Sequence, residues 1–290
     1  SSLEGLDFIR TGNPLESEQA LMFKHALTQE VVYNGLLKKE RQEIHEKIGH
    51  VMETHFHDRL PEYYEALAYH FKQGRSQFKA VHYLTKAGEK NRDRYAVDEA
   101  HQYYREAFEL LQNIPDRTRE TDMMLMDVFL DWAIVYYHRA DYNQMIDVLK
   151  RYEDFAVSLG DKKRLGMYYV WMGAAYGRLE YLREGYQYLH KALTIGEEIG
   201  DETIVCYACT WLSMNCSDLG LMDEALDLGM RVHKMDMHLA DKNIFRLSTA
   251  GIGYAHYFIG EPRGAYDAGL LLLDYGQCYD DMGCMVHGHT

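Results

Sequence analysis

A large apolar residue followed by a small one returns along this chain as Trp132-Ala133, Met172-Gly173, Leu212-Ser213 and Ile252-Gly253, each pair 40 residues after the last. Twelve residues beyond each small residue stand Met145, Gly185, Ala225 and Ala265. Between them comes a turn position: Ala140, Glu180, Gly220 and Gly260. Each unit closes on a breaker pair, Gly160-Asp161, Gly200-Asp201, Ala240-Asp241 and, more weakly, Asp280-Asp281. Between these points the apolar residues keep a helical period. A repeat of this length predicts helix pairs, each burying its apolar face on its neighbours. The fold class read from the pattern is an all-α, right-handed α-solenoid of antiparallel helix pairs.

The same punctuation predicts helices over 62–73, 77–94, 97–112, 120–139, 142–159, 162–179, 182–199, 202–219, 222–239, 242–259 and 262–279. Gly160 and Gly200 can take the left-handed conformation that ends a helix. Asp161, Asp201 and Asp241 can cap the next helix through a side-chain oxygen. Pro262 falls in a first turn, where no amide donor is needed. Ala133, Gly173, Ser213 and Gly253 let the first helix of each pair approach the second, where Met145 is an oversized exception to the small residues. Tyr136 and Tyr176 cover that seam one turn on; Cys216 and His256 replace them later.

The N-terminal third reads differently. Val31, Val32, Leu36, Leu37, Ile44, Ile48 and Met52 predict helix over 28–56, and Asp58 would cap a helix starting near Pro61. Leu6 to Ile9 and Leu21 to Phe23 flank Thr11-Gly12-Asn13-Pro14, a turn signal that predicts a short β-hairpin. The expected organisation is 1–27 for the hairpin, 28–118 for a junction helix and first repeat-like helices, and 119–290 for the 40-residue array.

At 61–94, Tyr64, Leu67, Ala68, Phe71, Ala80, Leu84 and Ala87 stand at the spacing of the tetratricopeptide repeat, as do Tyr169, Met172, Gly173, Tyr176, Gly185, Leu189 and Ala192 further on. The chain resembles that family, with units longer than its usual length of about 34 residues. Longer units of this kind look like those of signalling scaffolds and maltose-regulon-type activators. Helix 77–94 fits two registers: the second helix of one repeat or, with Gly88, Ala100, Tyr104 and Ala107, the first of the next. A narrower likeness covers roughly 20–112. The stretch Phe23 to Tyr33, then Arg41 and His45, and later Ala66 to Phe71 and Lys86-Ala87-Gly88, is similar to a junction in bacterial signalling ATPases of the AAA/STAND type, often linked to a class III adenylate/guanylate cyclase or a kinase. There it joins a winged helix to tetratricopeptide repeats. This resemblance implies that the hairpin is a winged-helix remnant; the chain, which lacks a starting Met and stops where a further repeat would begin, is expected to be a piece of a longer protein.

Charge narrows the partners. Lys plus Arg is 31 and Asp plus Glu is 45, a net charge of −14, opposite to the basic surface a nucleic-acid binder needs. No apolar run approaches a membrane span. Five cysteines do not make a disulfide framework and fit reduced thiols in the cytoplasm. Cys206 and Cys209 share a helix face but lack a second pair at zinc spacing, and read as small buried hydrophobes. His45 and His50 are five apart, not the four a zinc-protease helix requires. His55, His57 and His70 read as histidines at a solvated helix end, close enough to meet across a turn. Gly251-Ile252-Gly253 lacks the third glycine of a dinucleotide loop, and the chain contains no Gly-Lys dipeptide for a phosphate loop. No catalytic site, metal or cofactor is expected.

In tetratricopeptide arrays the first helices line a concave face. The resemblance places there Asp127, Leu130, Ile134, Tyr137 and His138; Met167, Val170, Ala174 and Arg178; Tyr207, Thr210, Met214 and Asp218; and Leu247, Ala250, Tyr254, Tyr257 and Phe258. Of these, Tyr137, His138, Arg178, Tyr207, Met214, Asp218, Tyr254, Tyr257 and Phe258 are the candidate partner-binding residues. Tyrosine and methionine suit a packed peptide or helix. The other reading is that Tyr254, Tyr257 and Phe258 pack on neighbouring helices or further repeats. The function expected is a non-catalytic protein-interaction or regulatory sensor module, its partner a protein or peptide, upstream domains of the same polypeptide among the candidates. The alternative is a domain that senses a small molecule.

Overall fold

The computed structural model describes residues 9–11, 21–235 and 242–289, in two compact units, Ser1–Lys90 and Asn91–Thr290. This division falls inside the span 28–118 that the sequence pattern groups together. Among the described residues no helix is long and apolar enough to cross a membrane.

In the first unit, β1 (Ile9–Thr11) and β2 (Leu21–Phe23) pair antiparallel, Ile9 opposite Phe23. That three-residue ladder is the whole sheet among the described residues. It is too small to define a wing, so a winged-helix remnant is not supported. The expected turn lies outside the described residues from Gly12 onward.

The helix expected over 28–56 is two: α1 (Ala26–Gly35) and α2 (Lys38–His55). Gly35 weakens the helix where α1 stops. Leu36 and Leu37 are extended, with ψ of 144° and 150°. The Glu40 carboxylate then accepts the Leu37 N–H at 2.8 Å, supplying a partner for a backbone donor at the start of α2. The start expected near Pro61 also moves. His57–Glu62 form a 3₁₀ turn broken at Arg59, and α3 (Tyr64–Gln73) begins beyond it. Leu67, Ala68 and Phe71 of α3 and Ala80, Leu84 and Ala87 of α4 (Gln77–Asp93) are all essentially sealed from solvent. Phe71 stacks on Tyr83 at 5.5 Å, and a Cβ on Gly49 would lie 2.8 Å from the Phe71 ring. Glu46 accepts the N–H groups of Arg75 and Ser76 at 2.8 and 3.1 Å, which fixes an anion at the N-terminus of α4. His70 meets His45, Nδ1 to Nδ1 at 2.9 Å, not His55 and His57, which are exposed.

The second unit continues as α5 (Val97–Gln112), α6 (Arg119–His138), α7 (Tyr142–Ser158), α8 (Lys162–Arg178), α9 (Leu182–Ile199), α10 (Glu202–Asp218), α11 (Met222–His233), α12 (Lys242–Phe258), α13 (Pro262–Tyr279) and α14 (Met282–His289). The helix expected over 222–239 ends at His233, with Lys234 and Met235 in a closing turn; residues 236–241, Ala240 and Asp241 among them, lie outside the described residues. The turn residues Ala140, Glu180, Gly220 and Gly260 all have φ between 55° and 79°. Gly160, Gly200 and Asp280 are left-handed too, and Asp161, Asp201 and Asp281 cap the helices that follow. Tyr95 has φ 58° and the same hydrogen-bond pair as the turns inside the repeats: its N–H reaches Arg92 O, and the Ala96 N–H reaches Asn91 O. This turn favours the register in which 77–94 is a first helix.

The seams are steric. A Cβ on Gly173 would lie 2.4 Å from Leu189 Cγ and 2.9 Å from the Gly185 carbonyl oxygen. Ser213 Oγ donates to the Ala225 carbonyl at 2.6 Å. Met145, the oversized exception, is buried at its seam. Cys206, Cys209 and Cys216 lie in the interior of α10, where burial first of all pushes the Cys209 thiol up to about 11.

Candidate partner-binding groove

The first helices α6, α8, α10 and α12 pack side by side in that order, and several residues near their C-termini meet on one face, the inner face. Arg178 at the end of α8 donates to Tyr137 Oη from Nε and Nη2, at 3.1 and 2.8 Å. Its guanidinium lies 5.6 Å from the ring centres of both Tyr137 and Trp211, while those rings meet edge to face at 4.9 Å. A cation between aromatic faces is attracted by their quadrupoles and held in one orientation. Tyr137 is thus the support of Arg178. Burial raises its hydroxyl pKa, with the Arg178 charge working the other way.

His138 packs beside Tyr95, ring centres 5.9 Å apart. Burial, then the charges of Arg246 and Arg92, push it down to about 4, so it is neutral near pH 7. Tyr95 Oη accepts a hydrogen bond from Arg246 Nη1, across 151 residues of sequence. Arg246 is itself buried. The inner face is therefore closed at this point by side-chain packing.

Beyond the closure lies a groove of about 710 Å³. Arg178, Met214 and Asp218 form one wall; Leu247, Ala250, Tyr254 and Tyr257 of α12 form another, and Tyr266 and Leu270 of α13 continue it. Phe258 packs edge-on against Tyr254 at 4.8 Å and Tyr257 at 5.6 Å. Tyr254, Tyr257 and Phe258 remain 45%, 68% and 47% exposed. Five of the nine sequence candidates thus share one groove, and Phe258 braces two of them. Tyr207 is placed elsewhere: it is buried against Trp171 at 6.0 Å, at a second hollow with Asp127, Leu130, Ile134 and Met167.

The residues missed by the pattern are Tyr95, Trp211, Asn215 and Arg246. Trp211 and Asn215 flank the seam residue Ser213, where a helical period reads only core. Tyr95 and Arg246 meet through coiling of the array, for which a single repeat carries no signal.

Residues 128–215 match the family model of anaphase-promoting complex subunit 5. No curated protein matches the chain. Among solved structures, the chain is similar to the Rap conjugation gene regulator of the plasmid pLS20 in complex with the Phr* peptide, at TM-score 0.61 and 14% identity, over 71% of this chain and 55% of that one. It is similar to a signal transduction ATPase with numerous domains from Pyrococcus horikoshii that carries a tetratricopeptide repeat sensor, at TM-score 0.55 and 14% identity, over 85% of this chain and 37% of that one. It is similar to aspartyl phosphate phosphatase F from Bacillus subtilis, at TM-score 0.55 and 12% identity, over 91% and 72%. The chain spans 55% of the Rap regulator's length and 37% of the ATPase's. The shared property is the fold. This is a tetratricopeptide-like helical repeat.

Proposed function

We propose that the chain is a protein-interaction and regulatory sensor module whose groove takes a peptide or helical segment of a protein partner, without catalysing a reaction of its own. The observation that carries this reading is the cluster of exposed aromatic side chains at the groove: Tyr254, Tyr257 and Phe258, two of them in its wall. Exposed aromatic groups gathered in one concavity mark interaction sites. The fold likeness to a Rap regulator in complex with a peptide and to a tetratricopeptide repeat sensor of a signalling ATPase supports it. On this reading the module belongs to a larger cytoplasmic signalling ATPase, of the kind linked to a nucleotide cyclase or kinase, and upstream domains of that polypeptide are among its partners.

A second reading follows from the volume of the groove, about 710 Å³, within the range of small-molecule sites. There a metabolite would be the signal. Two measurements separate the readings. A library of short synthetic peptides, scored by Trp fluorescence, is expected to contain binders that weaken about tenfold or more in Tyr257→Ala and Tyr254→Ala. Peptide affinities unchanged in both variants would remove the groove from the interaction. A metabolite that raises the melting temperature while no peptide does would favour the second reading.

A further inference from the structure

The repeat makes one residue of the inner face anomalous. Two positions after the seam residue, α6, α8 and α12 carry Val135, Ala175 and Ala255, all fully buried. In α10 the same place holds Asn215, 3% exposed. Neither Oδ1 nor Nδ2 of its amide has a hydrogen-bond partner within the protein, and nor does Nε1 of Trp211, one helical turn earlier. Space has been left for this side chain. A Cβ on Gly177 would lie 3.2 Å from its Nδ2, and one on Gly185 2.9 Å.

Three equivalent seams close with an apolar residue, so folding does not require an amide here. A buried polar group without a partner is costly. The geometry shows where the partner would come from. Asn215 and Trp211 line a hollow of about 20 Å³ together with Arg178, Met214 and Asp218, and those last three also form a wall of the larger groove. The hollow is a recess in the groove's floor, with room for one small polar group in place of a water. Asn215 carries a donor and an acceptor and Trp211 a further donor, each with under 1 Å² of its surface open, so a bound group reaches them by parting the lining of the hollow. Arg178 and Asp218 both line the hollow and their charges act on each other, so an ion of either sign attracted by one is opposed by the other.

We propose that Asn215 and Trp211 form a polar subsite in the groove, which seats a neutral hydrogen-bonding side-chain tip, a carboxamide or a hydroxyl, of the bound segment. The subsite rests on the reading of the groove as a partner-binding surface and adds what that surface selects. The recess rejects a bulky apolar group by size and by leaving the amide unpaired.

The test uses four small probes on the whole chain: acetamide and methanol as neutral tips, acetate and methylammonium as charged ones. The readout is nitrogen-15 NMR of the Asn215 side-chain amide and the Trp211 indole N–H. Acetamide, methanol or both are expected to shift the two signals saturably, and the charged probes to require at least about tenfold higher concentration. In Asn215→Val the Trp211 response should fall by a similar factor, while the melting temperature stays at or above that of the parent chain, as the apolar residues of the other seams imply. Should Val overpack the recess, Asn215→Ala serves instead. The proposal is overturned if neither neutral probe shifts the signals, if the charged probes do so equally well, or if both variants melt well below the parent, since the amide would then be paired within the fold. A failed subsite with Tyr257→Ala still weakening peptide binding leaves the groove reading standing. Loss of that effect as well removes both.

Discussion

At Ala140 and Glu180 the chain forces residues with a Cβ into the left-handed region, φ 55° and 64°, where the next two repeats use Gly220 and Gly260. The left-handed conformation crowds Cβ against the carbonyl oxygen, and glycine has no Cβ to crowd. Ala140→Gly is therefore expected to stabilise the second unit by about 0.5–1 kcal/mol, the relief of strain exceeding the entropy glycine loses on folding. A rise in the urea midpoint at constant slope checks it; a fall would mean that the turn carries no strain. That the four positions turn is legible in sequence, because their spacing is fixed by the repeat. That Tyr95 turns in the same way is not, since nothing in a tyrosine announces a positive φ.

Between elements, the period worked wherever a seam forces small residues into register. Gly173 faces the Gly185 backbone and Leu189 at distances no Cβ can keep. The Gly185 carbonyl is part of α9 and cannot move aside without its helix. Gly173→Ala should cost about 1–3 kcal/mol by overpacking, read as a lowered urea midpoint, and Gly173→Leu no less. An unchanged midpoint for Gly173→Leu would show that the seam is not tight. The pattern failed at 28–56. There Leu36 and Leu37 keep an apolar rhythm across a break set by Gly35 and the Glu40 contact to the Leu37 N–H. A glycine and one hydrogen bond set that boundary, and hydrophobic periodicity registers neither.

At the scale of the second unit, two histidines couple its stability to pH. Burial, then Arg139 and Arg105, push His101 down to about 4, and burial with Arg246 and Arg92 does the same to His138. Both are neutral when folded near pH 7. Unfolded, each would titrate near its ordinary value of 6.5. Below that value the unfolded chain binds more protons, so stability is full above about pH 6.5 and falls as pH drops toward about 4. His138→Gln should flatten the dependence of the urea midpoint on pH across this window. A slope identical to that of the parent would show that His138 is not held neutral by the fold. His101 accepts the Trp132 indole N–H at 3.1 Å, so its acid titration is expected to loosen the packing of α5 against α6 as well.

The sequence by itself determined the helix pairs, their turns and their seams. These are local or nearest-neighbour properties, and a repeat states them several times over. The resemblance to tetratricopeptide arrays, carried by the same period, put Arg178, Met214, Asp218, Tyr254 and Tyr257 among the candidates on first helices. Only the tertiary structure decided what they do there. Coiling of the array brings Tyr95 to Arg246, turns Tyr137 into a support for Arg178, buries Tyr207, and seats the Asn215 amide in the room left by Gly177 and Gly185. Each of these depends on residues from different elements meeting in space, and no period in one dimension encodes that meeting.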